Sequence, residues 1–141
     1  MMDRRTSRIL IERLNRDAER IAAHFGLRYK SITAERANVK SRYGVCYDDG
    51  AIKIRLRHAV SGEPLKYSGL VATLCHELAH LRHFHHGVRF RHFYLQVLEY
   101  ARTQRIYCPG PRRRAAFQRG RVALAVQRPS EPSGPEQLRL F

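Results

Sequence analysis

The 141-residue chain is predicted to fold as an α+β domain, with an N-terminal helix, a small sheet and two further helices, followed by a flexible tail. Three observations predict this. Apolar residues recur at helical spacing over 7–25, alternate in twos between 28 and 57, and return to helical spacing from 67 to about 106.

Each element follows from its own pattern. Leu10, Leu14, Ala18, Ile21 and Phe25 recur at intervals of three and four with Arg and Glu between them, and Gly26 stands where such a helix would stop. The stretches "LRYKSITA" and "RYGVCY" read as strands, and "DDG" as a tight turn. "AIKIRLR" alternates strictly, with Ile52, Ile54 and Leu56 on one face and Lys53, Arg55 and Arg57 on the other. That predicts one apolar face and one basic face. After a polar loop containing Gly62 and Pro64, residues 67–82 form a helix and a second runs from about 88 to 106, where "CPGP" ends it. Phe90, Tyr94, Val97 and Ala101 are the packing stripe of this last helix.

The domain is therefore placed at 1–107, with a basic extension at 108–128 and a flexible tail at 129–141. The tail begins with a Pro/Ser/Gly-rich linker over 129–136.

Composition narrows the partners. Lys and Arg number 27 against 12 Asp and Glu, a formal net charge of +15. A field of that sign in a chain without a membrane span favours a polyanion, and nucleic acid is the commonest. No apolar run approaches the roughly 18 residues of a span, and the first residues have neither an apolar core nor a cleavage site. A cytoplasmic protein associated with the nucleoid is expected, with no membrane partner. Cys46, Cys75 and Cys108 are odd in number, widely spaced and without a CxxC pair, so buried free thiols are expected rather than a disulfide framework.

The stretch "HELAHLRHFHHG", 76–87, holds five of the eight histidines. On a helix, Leu70, Val71, Leu74, Leu78 and Leu81 gather on one arc, while Thr73, His76, Glu77 and His80 fall on the other. His76 and His80 thus share a face, one turn apart, with Glu77 beside them. This HExxH spacing lets two imidazoles reach one Zn²⁺ and leaves a carboxylate next to the water that the ion would hold. A catalytic zinc takes three protein ligands, and His83, His85, His86 and Glu99 are the candidates for the third. The offset of six residues after His80 favours His86, with Glu99 as the alternative. A metzincin is disfavoured, because His83 stands at the turn glycine and no methionine follows residue 2.

"KSRYGVCYDDGAIKIRL" followed by "TLCHELAHLRHFHHGVRFRHFYLQVLEY" resembles the SprT-like and WLM-domain zinc metallopeptidases, including the Spartan-type proteases, and "SRYGVC" is similar to YgjP-like proteins. The specific parts are the strand ending in I-x-L-R, the Thr-Leu lead into "HELAH", and "HGVRF", which matches an HGxxF segment bearing the third ligand. The resemblance covers about 38–102. It implies a small zincin-like fold: a helix, a three-stranded sheet over the active-site helix, and a second packing helix. It also implies one zinc per chain held by His76, His80 and His86, with Glu77 as general base. No C-terminal zinc ribbon and no ubiquitin-binding finger is visible, so targeting by those routes is not expected.

The chemistry expected is hydrolysis of a peptide bond, with Glu77 taking a proton from water and returning it to the leaving amine. An edge strand beside the cleft would hold substrate backbone with little side-chain selection. Arg42, Tyr43 and Tyr100 are candidates for an oxyanion donor. Lys53, Arg55, Arg57, Arg112, Arg113 and Arg114 could neutralise phosphates, so the expected function is a zinc endopeptidase acting on DNA-associated proteins, as in repair of DNA–protein crosslinks. Competing readings are a metallopeptidase that cuts one transcriptional repressor, a non-catalytic nucleic-acid-binding protein with structural zinc, and an Arg-rich binding protein without metal.

The last five residues, "QLRLF", add a partner. Gln137, Leu138, Leu140 and Phe141 match the QLxLF pattern by which bacterial replication and repair proteins resemble one another in docking to the sliding clamp. An amide to anchor the start and apolar side chains to fill a pocket are what such a contact needs. This reading makes the protein bacterial.

Overall fold

The computed structural model describes residues 2–110. Arg112, Arg113 and Arg114, the linker over 129–136 and the clamp-like residues Gln137, Leu138, Leu140 and Phe141 lie outside them.

The chain runs through helix α1 (Arg4–Phe25), strands β1 (Ser31–Ala34), β2 (Gly44–Cys46) and β3 (Ala51–Ile54), then helices α2 (Tyr67–His80) and α3 (Val88–Thr103). The α+β architecture expected from the sequence is the one formed. Asp3 caps α1 by accepting the Thr6 N–H at 2.8 Å, which satisfies one of the donors that a helix start leaves open. Gly26 ends the helix in the left-handed region, φ 69°, and its N–H returns to the Ala22 carbonyl.

The sheet order is β1-β3-β2. β1 lies parallel to β3 with Ile32 opposite Ile52, and β2 antiparallel with Gly44 opposite Ile54 and Cys46 opposite Ile52. β3 is therefore central, and β2 is an edge. The β2–β3 turn closes through Tyr47 N–H to the Ala51 carbonyl at 2.8 Å, with Gly50 at φ 95°.

One face of the sheet packs on the helices. Ile32, Ile52, Ile54 and Cys46 join Leu14, Ala18 and Ile21 of α1, Leu70, Leu74 and Leu78 of α2, and Phe90, Phe93 and Val97 of α3 in one core. Burying these side chains contributes about 1.5–3 kcal/mol each for the larger ones. α2 runs through the middle of this core, so both of its faces are covered, Glu77 and His80 included.

Three expectations are corrected. α3 stops at Thr103, before the predicted end near 106, because Arg105 takes a left-handed conformation, φ 61°, and Ile106 and Tyr107 both donate to the Ala101 carbonyl. Turning there buries Ile106. Cys46 and Cys75 are buried as expected, but Cys108 is exposed, beyond the last helix. The open basic face expected of β3 is not formed as such: Arg55 is buried, only 8% exposed. Its Nη1 donates to the Lys40 carbonyl at 3.0 Å and approaches that of Arg42 at 3.4 Å, and its guanidinium lies 4.5 Å over the Tyr43 ring. Arg55 thus ties down the loop before β2, while Lys53 and Arg57 are partly exposed. No helix among the described residues is long and apolar enough to cross a membrane.

Candidate metal centre

His76 and His80 lie one turn apart on α2, and the chain leaves that helix through a tight turn in which Arg82 and His83 both donate to the Ala79 carbonyl. The turn carries His86 back over the helix. Its Nε2 stands 3.2 Å from Nε2 of His76 and 2.9 Å from Nε2 of His80. The three ligand atoms all lie within 4.8 Å of one another, a grouping that could hold one metal ion.

The histidines are prepared as neutral donors. His80 Nδ1 is 3.2 Å from the His83 carbonyl. A carbonyl only accepts, so Nδ1 donates and the lone pair is kept on Nε2, the atom that faces the cluster. Burial lowers His76 to about 3, helped by the charge of His86. Burial likewise lowers His80 to about 2, with His76 and His86 adding to it. His86 is pushed down to about 4 by the burial of its ring and by His85, although the residue as a whole is on the surface. Three neutral imidazoles turned onto one point suit a transition ion such as zinc.

Phe90 holds the rings in place. It stacks on His80 at 4.4 Å between centroids and 23° between planes, and meets His76 and His86 edge-on at 4.9 Å each. The sequence showed Phe90 as the last residue of the "HGVRF" segment and as a packing residue. Its contact with all three imidazoles is a tertiary fact. Tyr94, one turn further along α3, has its ring 5.5 Å from that of His76, and burial pushes its phenol up. The sequence reading gave Tyr94 no role at the site, and the helical spacing from Phe90 was the signal that could have found it.

Glu77 sits between α2 and β2. Its carboxyl is buried, with Oε1 lacking a hydrogen-bond partner among the described residues. Burial raises its pKa well above the carboxylate range, and the positive charge of Arg42 partly offsets the rise. Oε2 lies against β2 at Gly44, where an added Cβ would come within 3.1 Å. Burial of this kind favours the protonated carboxyl over the carboxylate.

The alternatives for the third position are elsewhere. Glu99 is exposed on α3 and pairs with Arg102 at 2.8 Å. His83 packs its ring 5.7 Å from Phe93, and His85 is exposed. Of the three oxyanion candidates, Tyr100 stacks on His24 at 3.9 Å, and Tyr43 lies on the sheet face opposite α2. Arg42 is the one whose charge acts on Glu77. It is held through Nε and Nη2 to Glu35 Oε2 at 2.9 and 2.7 Å.

Known proteins share this fold. The solved structures similar to the chain include a mutant of Wss1 from Saccharomyces cerevisiae, at TM-score 0.66 and 14% identity over 74% of this chain and 87% of that one. Wss1 from Saccharomyces cerevisiae also matches, at TM-score 0.62 and 17% identity over 68% and 78%. A Glu→Gln mutant of Wss1 from S. pombe matches at TM-score 0.54 and 22% identity over 64% and 80%. At these identities the likeness establishes the fold alone. No curated protein sequence matches. The model of the YgjP-like metallopeptidase domain matches residues 1–106, and the chain belongs to the YgjP-like metallopeptidase family.

Proposed function

We propose that the protein is a zinc-dependent endopeptidase acting on proteins associated with DNA, with His76, His80 and His86 holding one zinc ion and Glu77 moving the proton. The observation that carries this reading is the convergence of three Nε2 atoms beside a buried carboxyl. Zinc, when bound, supplies Lewis acidity and makes a water proton removable near neutral pH. Glu77 accepts that proton on its carboxylate and gives it to the leaving amine nitrogen.

Substrate backbone is held by the edge of β2. Val45 pairs with Lys53, the Tyr43 carbonyl accepts from the Arg55 N–H and the Tyr47 N–H donates to the Ala51 carbonyl, so the N–H and C=O of Gly44 and Cys46 point away from β3. An extended peptide can add to that side as a strand, next to Glu77. Such pairing reads backbone rather than side chains, which suits a protease of broad specificity.

The association with DNA is supported by the net charge of +15 and by the resemblance to Spartan-type proteases. Lys53 and Arg57 remain partly exposed, and Arg112, Arg113 and Arg114 continue the basic sequence. Gln137, Leu138, Leu140 and Phe141 would bring the enzyme to a bacterial sliding clamp through the linker at 129–136.

The test is cleavage of one protein substrate, free and bound to DNA, by the zinc-loaded full chain, with chelator and with Glu77→Gln as controls. DNA-stimulated cleavage that fades steeply with salt supports the proposal. Equal cleavage with and without DNA overturns the DNA part and leaves a repressor-cutting peptidase. No cleavage by zinc-loaded protein overturns the whole.

A further inference from the structure

We propose that the outer face of the sheet, on the side away from α2, is a stacking platform for single-stranded DNA. The proposal deepens the DNA-associated reading above and rests on it, by naming the surface that takes the nucleic acid.

The register defines this face. Gly44 turns its Cβ position toward Thr73 and Glu77 of α2, so its neighbours Tyr43 and Val45 turn the other way, as does Tyr47. Val45 lies opposite Lys53, and Lys53 opposite Thr33. α1 and α2 both pack on the inner face, whereas on the outer one the loop before β2 lies over Arg55 through the Lys40 and Arg42 carbonyls.

What stands there is aromatic and cationic. Tyr43 is 39% exposed, with the Arg55 guanidinium 4.5 Å from its ring centroid. Arg55 is itself fixed by the Lys40 and Arg42 carbonyls, so Tyr43 is a ring held on a rigid support. At the other end, Lys53 Nζ lies 5.9 Å over the Tyr47 ring. The two tyrosines flank β2, four residues apart in extended chain, roughly 13 Å at about 3.3 Å per residue. That span accommodates two to three nucleotides of an extended strand, with bases against the rings and phosphates near the cations.

Charge and polarity select this occupant. Between residues 35 and 57 there are six Lys or Arg and three acids, and two of the acids are neutralised: Glu35 by Arg42 at 2.7 Å and Asp49 by Lys30 at 3.2 Å. The aliphatic residue between the tyrosines, Val45, is fully buried, so the face has little to offer an apolar protein partner. The stretch after 110, beginning with Arg112, Arg113 and Arg114, is basic and would be repelled by this face. Duplex DNA hides its base faces, whereas a single strand presents them.

The experiment measures fluorescence anisotropy of labelled oligothymidine, about twelve nucleotides long, with the zinc-loaded full chain at low salt. Two paired variants are compared: Tyr43→Leu with Tyr47→Leu, which keeps apolar bulk, and Tyr43→Phe with Tyr47→Phe, which keeps the rings. The Leu pair should bind about tenfold or more weakly, since each stacked base contributes roughly five- to hundredfold, and the Phe pair should bind within about twofold of the parent. Heparin, a polyanion without bases, should bind all three alike, and zinc content and melting temperature should match. Oligothymidine binding that is absent from the parent, unaffected by the Leu pair, or lost equally with Leu and Phe overturns the platform. Parallel loss of heparin binding also overturns it, by showing a charge effect alone. DNA-stimulated cleavage by the parent, measured alongside, reports on the functional reading whichever way the platform falls.

Discussion

Gly44 and Glu77 are in closer contact than any larger residue would permit: a methyl at Gly44 would stand 3.1 Å from Glu77 Oε2 and 2.8 Å from Thr73 Cγ2. The edge strand and the Glu77 carboxyl are thereby brought together at a position that admits no side chain unless Thr73 or Glu77 shifts. Gly44→Ala should push Glu77 and Thr73 aside. We expect a tenfold or greater fall in kcat/KM, zinc content unchanged, and a stability loss of about 1–3 kcal/mol from overpacking. Peptidase assay, metal analysis and denaturant melts check each part.

The proposed ligand set predicts which histidines matter. His76→Ala, His80→Ala and His86→Ala should each lose zinc, while His83→Ala, His85→Ala and Glu99→Ala keep it, because the latter three side chains stand away from the cluster. Glu77→Gln should retain the metal and lose turnover by a factor of about 100 or more, since it removes the base and leaves the donors. Metal analysis of purified variants decides this, and zinc loss in Glu99→Ala with retention in His86→Ala would reverse the assignment.

Acid should weaken the metal-free domain. His76 and His80 are depressed in the fold to about 3 and about 2, against 6.5 for an ordinary histidine. The unfolded chain therefore binds more protons, and stability falls as pH drops below about 6.5, by up to about 1.4 kcal/mol per pH unit for each histidine. Glu77 works in the opposite sense: its pKa is raised by burial, so the fold loses stability as pH rises above 4.5. Glu77→Gln should accordingly melt higher than the parent at pH near 8 when both are metal-free. A melting series across pH with chelator present tests both signs.

Phe90 should couple stability to metal affinity. Its ring touches all three imidazoles and is 3% exposed. Phe90→Ala should cost about 3–5 kcal/mol and, by freeing the rings, weaken zinc binding on the order of 10- to 100-fold. Phe90→Leu should recover most of the stability but less of the affinity. Zinc titration against a competing chelator separates the two.

The order of helices and strands was legible in the sequence because it depends on period. Leu14, Ala18 and Ile21 announce α1, and the alternation of Ile52 and Ile54 announces β3, without knowledge of any partner. The pairing of His76 with His80 and the position of Glu77 were legible for the same reason, since i and i+4 share a helix face wherever that helix lies. His86 was favoured by its offset and its motif, but its return to the helix depends on the turn after His80, which closes through tertiary and loop hydrogen bonds. Arg55 was misplaced because alternation tells which way a side chain leaves a strand, and not whether a neighbouring loop will fold over it. Gly44 could be read as a strand residue, whereas its contact with Glu77 joins positions 33 residues apart. Such long-range contacts have no local signature: packing density across the core determines them, and only the assembled sheet and helices set the distances on which the chemistry depends.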